Sequence, residues 1–218
     1  MTTSISIDLF LQSINETLFM VSISFVLGAA LGTLLALVLI LTRPQGIKPN
    51  AKLYTTLSTV INILRSLPFI ILMIAVLPLT RLIAGQSYGV TAALVPLVLF
   101  IGPYISRLVE NSLLEINDGI IEAADAMGAT TFQIIWHFML PEALPSLILS
   151  YTTAIIALIG ATAMAGAIGA GGLGSLAISY GYQRFDNVAI IITVIPLILI
   201  VQLLQSLGNA LSRAYKGK

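Results

Sequence analysis

Long apolar runs alternate along the chain with short polar interruptions. Residues 17–42, 82–106, 143–183 and 187–212 contain no Asp, Glu, Lys or Arg, and 53–80 contains only Arg65. A helix needs ~20 apolar residues to cross a bilayer. Backbone in lipid must satisfy its own hydrogen bonds, and these runs are continuously apolar rather than alternating, so they predict helices and not a β-barrel. Four of the five runs have the length of one span. The run 143–183 has room for one span and a loop, or for two short spans.

The basic residues decide between these counts. No Lys or Arg precedes Arg43, and the segment before span 1 carries only Asp8 and Glu16. A signal peptide needs a positive n-region, so span 1 is expected to stay in the protein. The loop after it holds Arg43, Lys48 and Lys52, which the positive-inside rule assigns to the cytoplasm, leaving the N-terminus outside. Five spans, at about 17–42, 53–80, 84–108, 142–167 and 187–212, put Arg107, Arg213, Lys216 and Lys218 inside and Arg81 and Arg184 outside. Two spans within 143–183 would send the C-terminal cations outside, so charge parity favours five. The expectation is an all-α integral membrane protein, one transmembrane domain over 1–218.

Composition narrows the function. Residues are 58% hydrophobic and 9% charged, against about 25% charged in soluble domains. That excludes an ordinary soluble enzyme, a disordered chain and a basic nucleic-acid binder. With no cysteine and the single histidine His137, thiolate chemistry, disulfides and His-pair metal sites are excluded too. No Walker A pattern occurs, so ATP is not bound in that way. No Asp or Glu is expected deep in a span, which argues against a proton- or sodium-driven carrier. No catalytic, cofactor or metal residue is expected.

Ser24, Gly28, Gly32 and Ala36 recur every four residues in span 1, and Ala154, Ala157, Gly160, Ala161, Ala165 and Gly166 thin out span 4. Small residues at such spacing let helices approach closely. Pro68 and Pro78 interrupt span 2, Pro96 and Pro103 span 3, and Pro196 span 5. The set reads either as ordinary membrane packing or as broken helices around a pathway. Candidate pathway residues are Arg65, which either snorkels or meets substrate, Pro68 beside it, and Met164, which either packs or plugs a path. Gly169-x-Gly171-x-x-Gly174 matches a dinucleotide fingerprint but follows a membrane span rather than a strand, so it is discounted. Tyr180, Tyr182 and Phe185 read as an interfacial aromatic belt ahead of a receptor contact.

The one long internal polar segment is about 115–141, EINDGIIEAADAMGATTFQIIWHFMLP. Asn117 or Asp118 can cap a helix that Gly128 ends, and Thr130 with Gln133 makes a capping box for a second helix. That helix shows an apolar stripe of Phe132, Ile135, Trp136 and Met139, with Pro141 closing the segment before span 4. An amphipathic helix–turn–helix of this kind lies on lipid or docks in a partner's groove. Its first piece carries acids and alanines without Lys or Arg, which suits a protein partner better than an anionic membrane.

Glu122-Ala123-Ala124, Gly128 and Leu140-Pro141 resemble the EAA loop of ABC-importer permeases, with Phe138 where the usual pattern has Ile. Together with RPQGIKPNAKLY, NILRSLPFIILM, VENSLLEI, LPEALPSL and AIGAGGLG, the chain looks like the methionine-importer permease subfamily over nearly its whole length. The resemblance implies a type I importer permease fold in the bacterial inner membrane, working by alternating access. It implies a homodimer, two cytoplasmic ATPase subunits that bind ATP and Mg, an extracytoplasmic substrate-binding protein, and methionine or a related small amino acid as cargo. It also implies that Glu122, Ala123, Ala124, Asp125, Met127, Gly128, Ala129, Thr130 and Pro141 form the ATPase-coupling surface. Permeases for other small solutes and a stand-alone channel are the rival readings.

Overall fold

A computed structural model describes residues 5–216, and all regular structure among them is helical. Helix α1 spans Ile7–Thr42, starting well before the apolar run. Ser6 caps it by accepting from the Leu9 amide (3.2 Å), and Asp8 sits in the first turn where a negative charge suits the helix dipole. Its 36 residues rise about 54 Å, more than the ~30 Å hydrocarbon layer, so its first turns extend past the layer or the helix tilts.

The second apolar run is not one straight crossing. It breaks into α2 (Ala51–Ser66), α3 (Phe69–Ala75) and α4 (Leu77–Ala84), with a bend of 107° between α2 and α3. The cause is local. Leu67, just before Pro68, takes extended dihedrals (φ −80°, ψ 128°), as a residue preceding proline prefers. Pro68 then caps α3, and Pro78 lies in the first turn of α4, where a missing N–H costs nothing. Four helices are long and apolar enough to cross a membrane singly, and the bent α2–α3 pair makes a fifth crossing if it counts as one.

The prolines of the third and last runs behave differently. Pro96 and Pro103 lie inside an unbroken α5 (Val90–Leu114), and Pro196 inside α10 (Asn187–Tyr215), so neither helix is interrupted as expected. Neighbouring helices in lipid re-satisfy backbone groups that a proline frees. After α6 (Asp118–Ala126), the chain runs from Thr131 to Gly166 as one long helix: α7 (Thr131–Gln133), a π-helical turn Ile134–Met139, then α8 (Leu140–Gly166). A short α9 (Gly172–Leu176) and a second π turn (Ala177–Tyr182) lead to α10.

α5 is the central strut, touching α1, α2, α3, α4 and α8. Leu97, Ile101, Ile105, Val109 and Leu113 form a buried ridge at four-residue spacing along it. Against this ridge α1 lays its small-residue face: Ser24, Gly28, Gly32 and Ala36 are all buried. A Cβ built on Gly32 would stand 2.6 Å from the Gly102 carbonyl oxygen and 2.7 Å from Ile105 Cβ, so only hydrogen fits. The glycines of the discounted fingerprint also have packing and turn reasons. Gly169 and Gly171 take positive φ (82° and 84°), and a Cβ on Gly174 would stand 2.5 Å from Ala163 Cα.

Gly32→Val is expected to force α1 off α5 and lower the thermal unfolding midpoint of the detergent-solubilised protein, at an overpacking cost of about 1–3 kcal/mol or more. Gly160→Ala, in the same class of small residue but with nothing within 4 Å of its added methyl, is expected to leave that midpoint unchanged.

Candidate functional site: a capped helix at the polar end of the bundle

Helix α6 is built by its caps. Asn117, not Asp118, supplies the N-cap, its side chain accepting from the Gly119 amide (2.8 Å). At the other end Gly128 takes φ 76°, its N–H donates to the Asp125 carbonyl (2.8 Å), and the Ala129 N–H donates to the Ala124 carbonyl (3.1 Å). This is a Schellman closure, which needs a left-handed residue and so favours glycine. Two residues later the capping box forms: the Thr130 N–H donates to Gln133 Oε1 (2.8 Å) and the Gln133 N–H to Thr130 Oγ1 (3.4 Å). The turn between the two helices is therefore specified at both edges.

Ala124 is fully buried and pins α6 to the bundle, while Glu122, Ala123, Asp125, Met127, Gly128 and Thr130 are exposed, Ala129 half-buried and Pro141 exposed. Met127 is 70% exposed. The apolar stripe expected beyond it divides in two. Phe132 and Trp136 stay exposed and meet edge to face at 6.0 Å, whereas Met139 turns inward with Ile134. The π turn causes this, because a wider turn shifts the phase of the side chains. It also explains Pro141, which opens α8 rather than closing the segment: the preceding Leu140 N–H reaches back to Ile135 rather than Trp136.

Arg43, at the end of α1, reaches Asp118 at the start of α6 (3.4 Å) and ties the segment to the bundle. A second tie lies inside. Because α5 continues to Leu114, past the expected end of the span at 108, Glu110 falls within the last turns of a helix and is 3% exposed. It pairs with Arg107 at 2.6 Å, and the Tyr54 hydroxyl donates to it at 3.5 Å. Arg107 donates further to the Ser58 carbonyl (3.2 Å), the Ser58 hydroxyl and Asn62 Oδ1 (3.1 Å). Sequence reading missed this cluster, although its signal was present. Arg107 and Glu110 are three apart, and Tyr54, Ser58 and Asn62 repeat every four residues on one face of α2.

The pathway candidates do not converge into a polar site. Arg65 is exposed in the last turn of α2, beside the 107° bend, and makes no ion pair among the described residues. Pro68 is exposed at the bend, and Met164 is 54% exposed near the end of α8. Among the described residues no group of His, Cys, Asp and Glu is placed to hold a metal ion.

The arrangement presents a capped, exposed helix at one end of the bundle, and the chain has relatives among known proteins. Residues 28–215 match the model of a family described as "Binding-protein-dependent transport system inner membrane component". The "Probable D-methionine transport system permease protein MetI" of Vibrio cholerae is 46% identical over 206 residues, 94% of this chain and 92% of that protein. The D-methionine transport system permease protein MetI of Escherichia coli is 48% identical over 158 residues, 72% of this chain and 73% of that protein. A chain of the MetNI methionine ABC transporter, solved in an inward-facing conformation, superposes with a TM-score of 0.94 at 44% identity, covering 97% of this chain and 99% of that one. A chain of an amino acid ABC transporter solved with histidines shares the fold alone, at a TM-score of 0.77 and 17% identity.

Removing one member of the buried pair tests its role. Arg107→Ala leaves the Glu110 charge without its partner, and is expected to cost about 3–5 kcal/mol in denaturant unfolding in mixed micelles. Arg107→Ala combined with Glu110→Ala is expected to recover most of that loss.

Proposed function

The chain belongs to the family of binding-protein-dependent transport system inner membrane components, and on that premise we propose that it is the membrane subunit of an ATP-driven methionine importer. D-methionine is the cargo named for its relatives in Vibrio cholerae and Escherichia coli, and methionine for the transporter it superposes on. Two copies would form the pathway. Two separate ATPase subunits would bind and hydrolyse ATP with Mg, and an extracytoplasmic binding protein would deliver substrate. The single observation that carries the mechanism is the exposed, doubly capped α6. Its Asn117 cap and Schellman closure hold its shape while Glu122, Ala123, Asp125, Met127 and Gly128 are exposed.

In this reading the ATPases close on ATP and carry α6 with them. The movement enters the bundle by two routes. One is the helix running without a break from Thr131 to Gly166, and the other is the Arg43–Asp118 contact at the foot of α1. Met164 and Gly160 lie on an exposed face of α8, which a second copy would cover to make a pathway. Arg65 and Pro68, at the bend of α2–α3, would line or shape its edge. Membrane lipid would cover the leucines of α10 at 199, 203, 207 and 211, all exposed. Delivery by a binding protein relieves the pathway of the need for strong polar groups of its own.

Met127→Asp removes no burial, since that side chain is exposed. It is expected to leave the permease folded while reducing co-purification of the ATPase and abolishing methionine-stimulated transport in vesicles. Unchanged ATPase association would sink the coupling assignment. The orientation has a separate test, made clean by the absence of native cysteine. A single cysteine at Gln45 is expected to resist a membrane-impermeant maleimide in intact cells, and one at Ser87 to react.

A further inference from the structure

At the opposite end of the bundle from α6, where α1 begins and α9 follows the glycine turn, a pocket of about 230 Å³ opens between the two helices. Its walls hold the polar side chains Gln12, Ser13, Glu16, Ser175, Ser179 and Tyr180. Ser13 is 4% exposed and Glu16 half-buried. Glu16 accepts from the Gln12 side-chain amide (2.8 Å) and, across 156 residues of chain, from the Gly172 N–H (2.7 Å). The neighbouring Thr17 hydroxyl accepts from the Leu173 N–H (2.9 Å). These bonds fix the carboxylate against the pocket without neutralising it. Among the described residues the ion pairs are Arg43–Asp118 and Arg107–Glu110, so Glu16 has neutral donors but no cation. A carboxylate has about four lone-pair sites, so two remain for a ligand.

A half-buried carboxylate in a concave site is stabilised by an ammonium group. The rest of the wall suits the other half of a zwitterion. Ser175, Ser179 and Tyr180 offer hydroxyl donors, and Tyr180 carries the Arg184 guanidinium over its ring at 4.2 Å, which adds positive charge to that side. The pocket is smaller than the ~300–1,000 Å³ of drug-sized sites, which limits it to a small ligand. Leu9 and Leu176 complete it with apolar surface.

The geometry points to a binding site for a free amino-acid zwitterion at the outer end of the permease. Glu16 holds the α-ammonium group, the Ser175–Tyr180 side holds the carboxylate, and Leu9 and Leu176 meet the side chain. The inference rests on the proposed orientation and on an amino acid as cargo. Such a site would hold substrate after its release from a binding protein.

The test is photolabelling of the full transporter complex in nanodiscs with a diazirine analogue of methionine, mapped by mass spectrometry. Labels are expected in the peptides around residues 9–16 and 172–180. Excess methionine should remove them, and N-acetylmethionine, which lacks the ammonium group, should not. Glu16→Gln keeps an oxygen acceptor for the Gly172 N–H but loses the charge, and is expected to reduce labelling there at least tenfold with the complex intact. Equal labelling of Glu16→Gln, or labels confined to other parts of the chain, would overturn this site while leaving the importer reading in place. Absence of any methionine-competed label in the whole chain would count against both.

Discussion

The close approach of α1 to α5 is the contact on which the rest of the fold depends. Lipid gives apolar helices no reason to prefer one another over acyl chains, so packing in a membrane comes from tight van der Waals contact. Here the tightness is set by glycine. With Gly32 against the Gly102 carbonyl, the two backbones meet without intervening side chains. That contact fixes α5, and α5 in turn presents its other sides to α2, α3, α4 and α8. Moving α1 outward by the width of a methyl would disturb the strut against which every other span is placed. It would also move Arg43, whose grip on Asp118 lies at the foot of the same helix.

A second consequence is the treatment of charge. The interior tolerates an ion only when its partner and its hydrogen bonds come with it. Arg107 and Glu110 meet most of this with donors and acceptors drawn from α2, Arg107 Nε alone of the pair's buried polar atoms going without a partner. The tie is polar because α2 has little else to offer, Ile61 being its single buried residue. A helix held by a few directional bonds and followed by a sharp bend is held in place differently from one packed along its length. It can be released by breaking a small number of contacts, whereas α1 cannot.

Much of this was legible in the chain because a membrane penalises misplaced charge and makes it scarce. The apolar runs located the spans, and the repeat Ser24, Gly28, Gly32, Ala36 marked the face that packs. Gly128, Thr130 and Gln133 specified the turn between α6 and α7, and the N-cap was narrowed to Asn117 or Asp118. What could not be read depends on neighbours. Pro68 breaks its span while Pro96 and Pro103 do not, though all three sit in apolar runs. α5 is enclosed where α2 is exposed, but α10 also runs unbroken over Pro196 with only 11% of its apolar stretch buried, so enclosure alone does not decide; at Pro68 the preceding Leu67 leaves helical dihedrals. The burial of Glu110 was hidden because hydropathy ends the span at Arg107, while the helix itself runs on to Leu114. Glu16 looked like a solvated flank, since its partner Gly172 is 156 residues away.

The π turn at Ile134–Met139 joins these threads. A proline at position 141 removes one N–H from a helix that must nonetheless continue from α7 into the membrane. A tight helical turn would set the ring against the preceding carbonyls and kink or break it. Widening the turn accommodates the proline and keeps the helix continuous, at the cost of rotating the residues before it. That rotation takes Ile134 and Met139 into the core and leaves Phe132 and Trp136 outside beside α6. The same local adjustment therefore keeps the helix continuous from α7 into α8 and leaves two aromatic rings exposed beside α6.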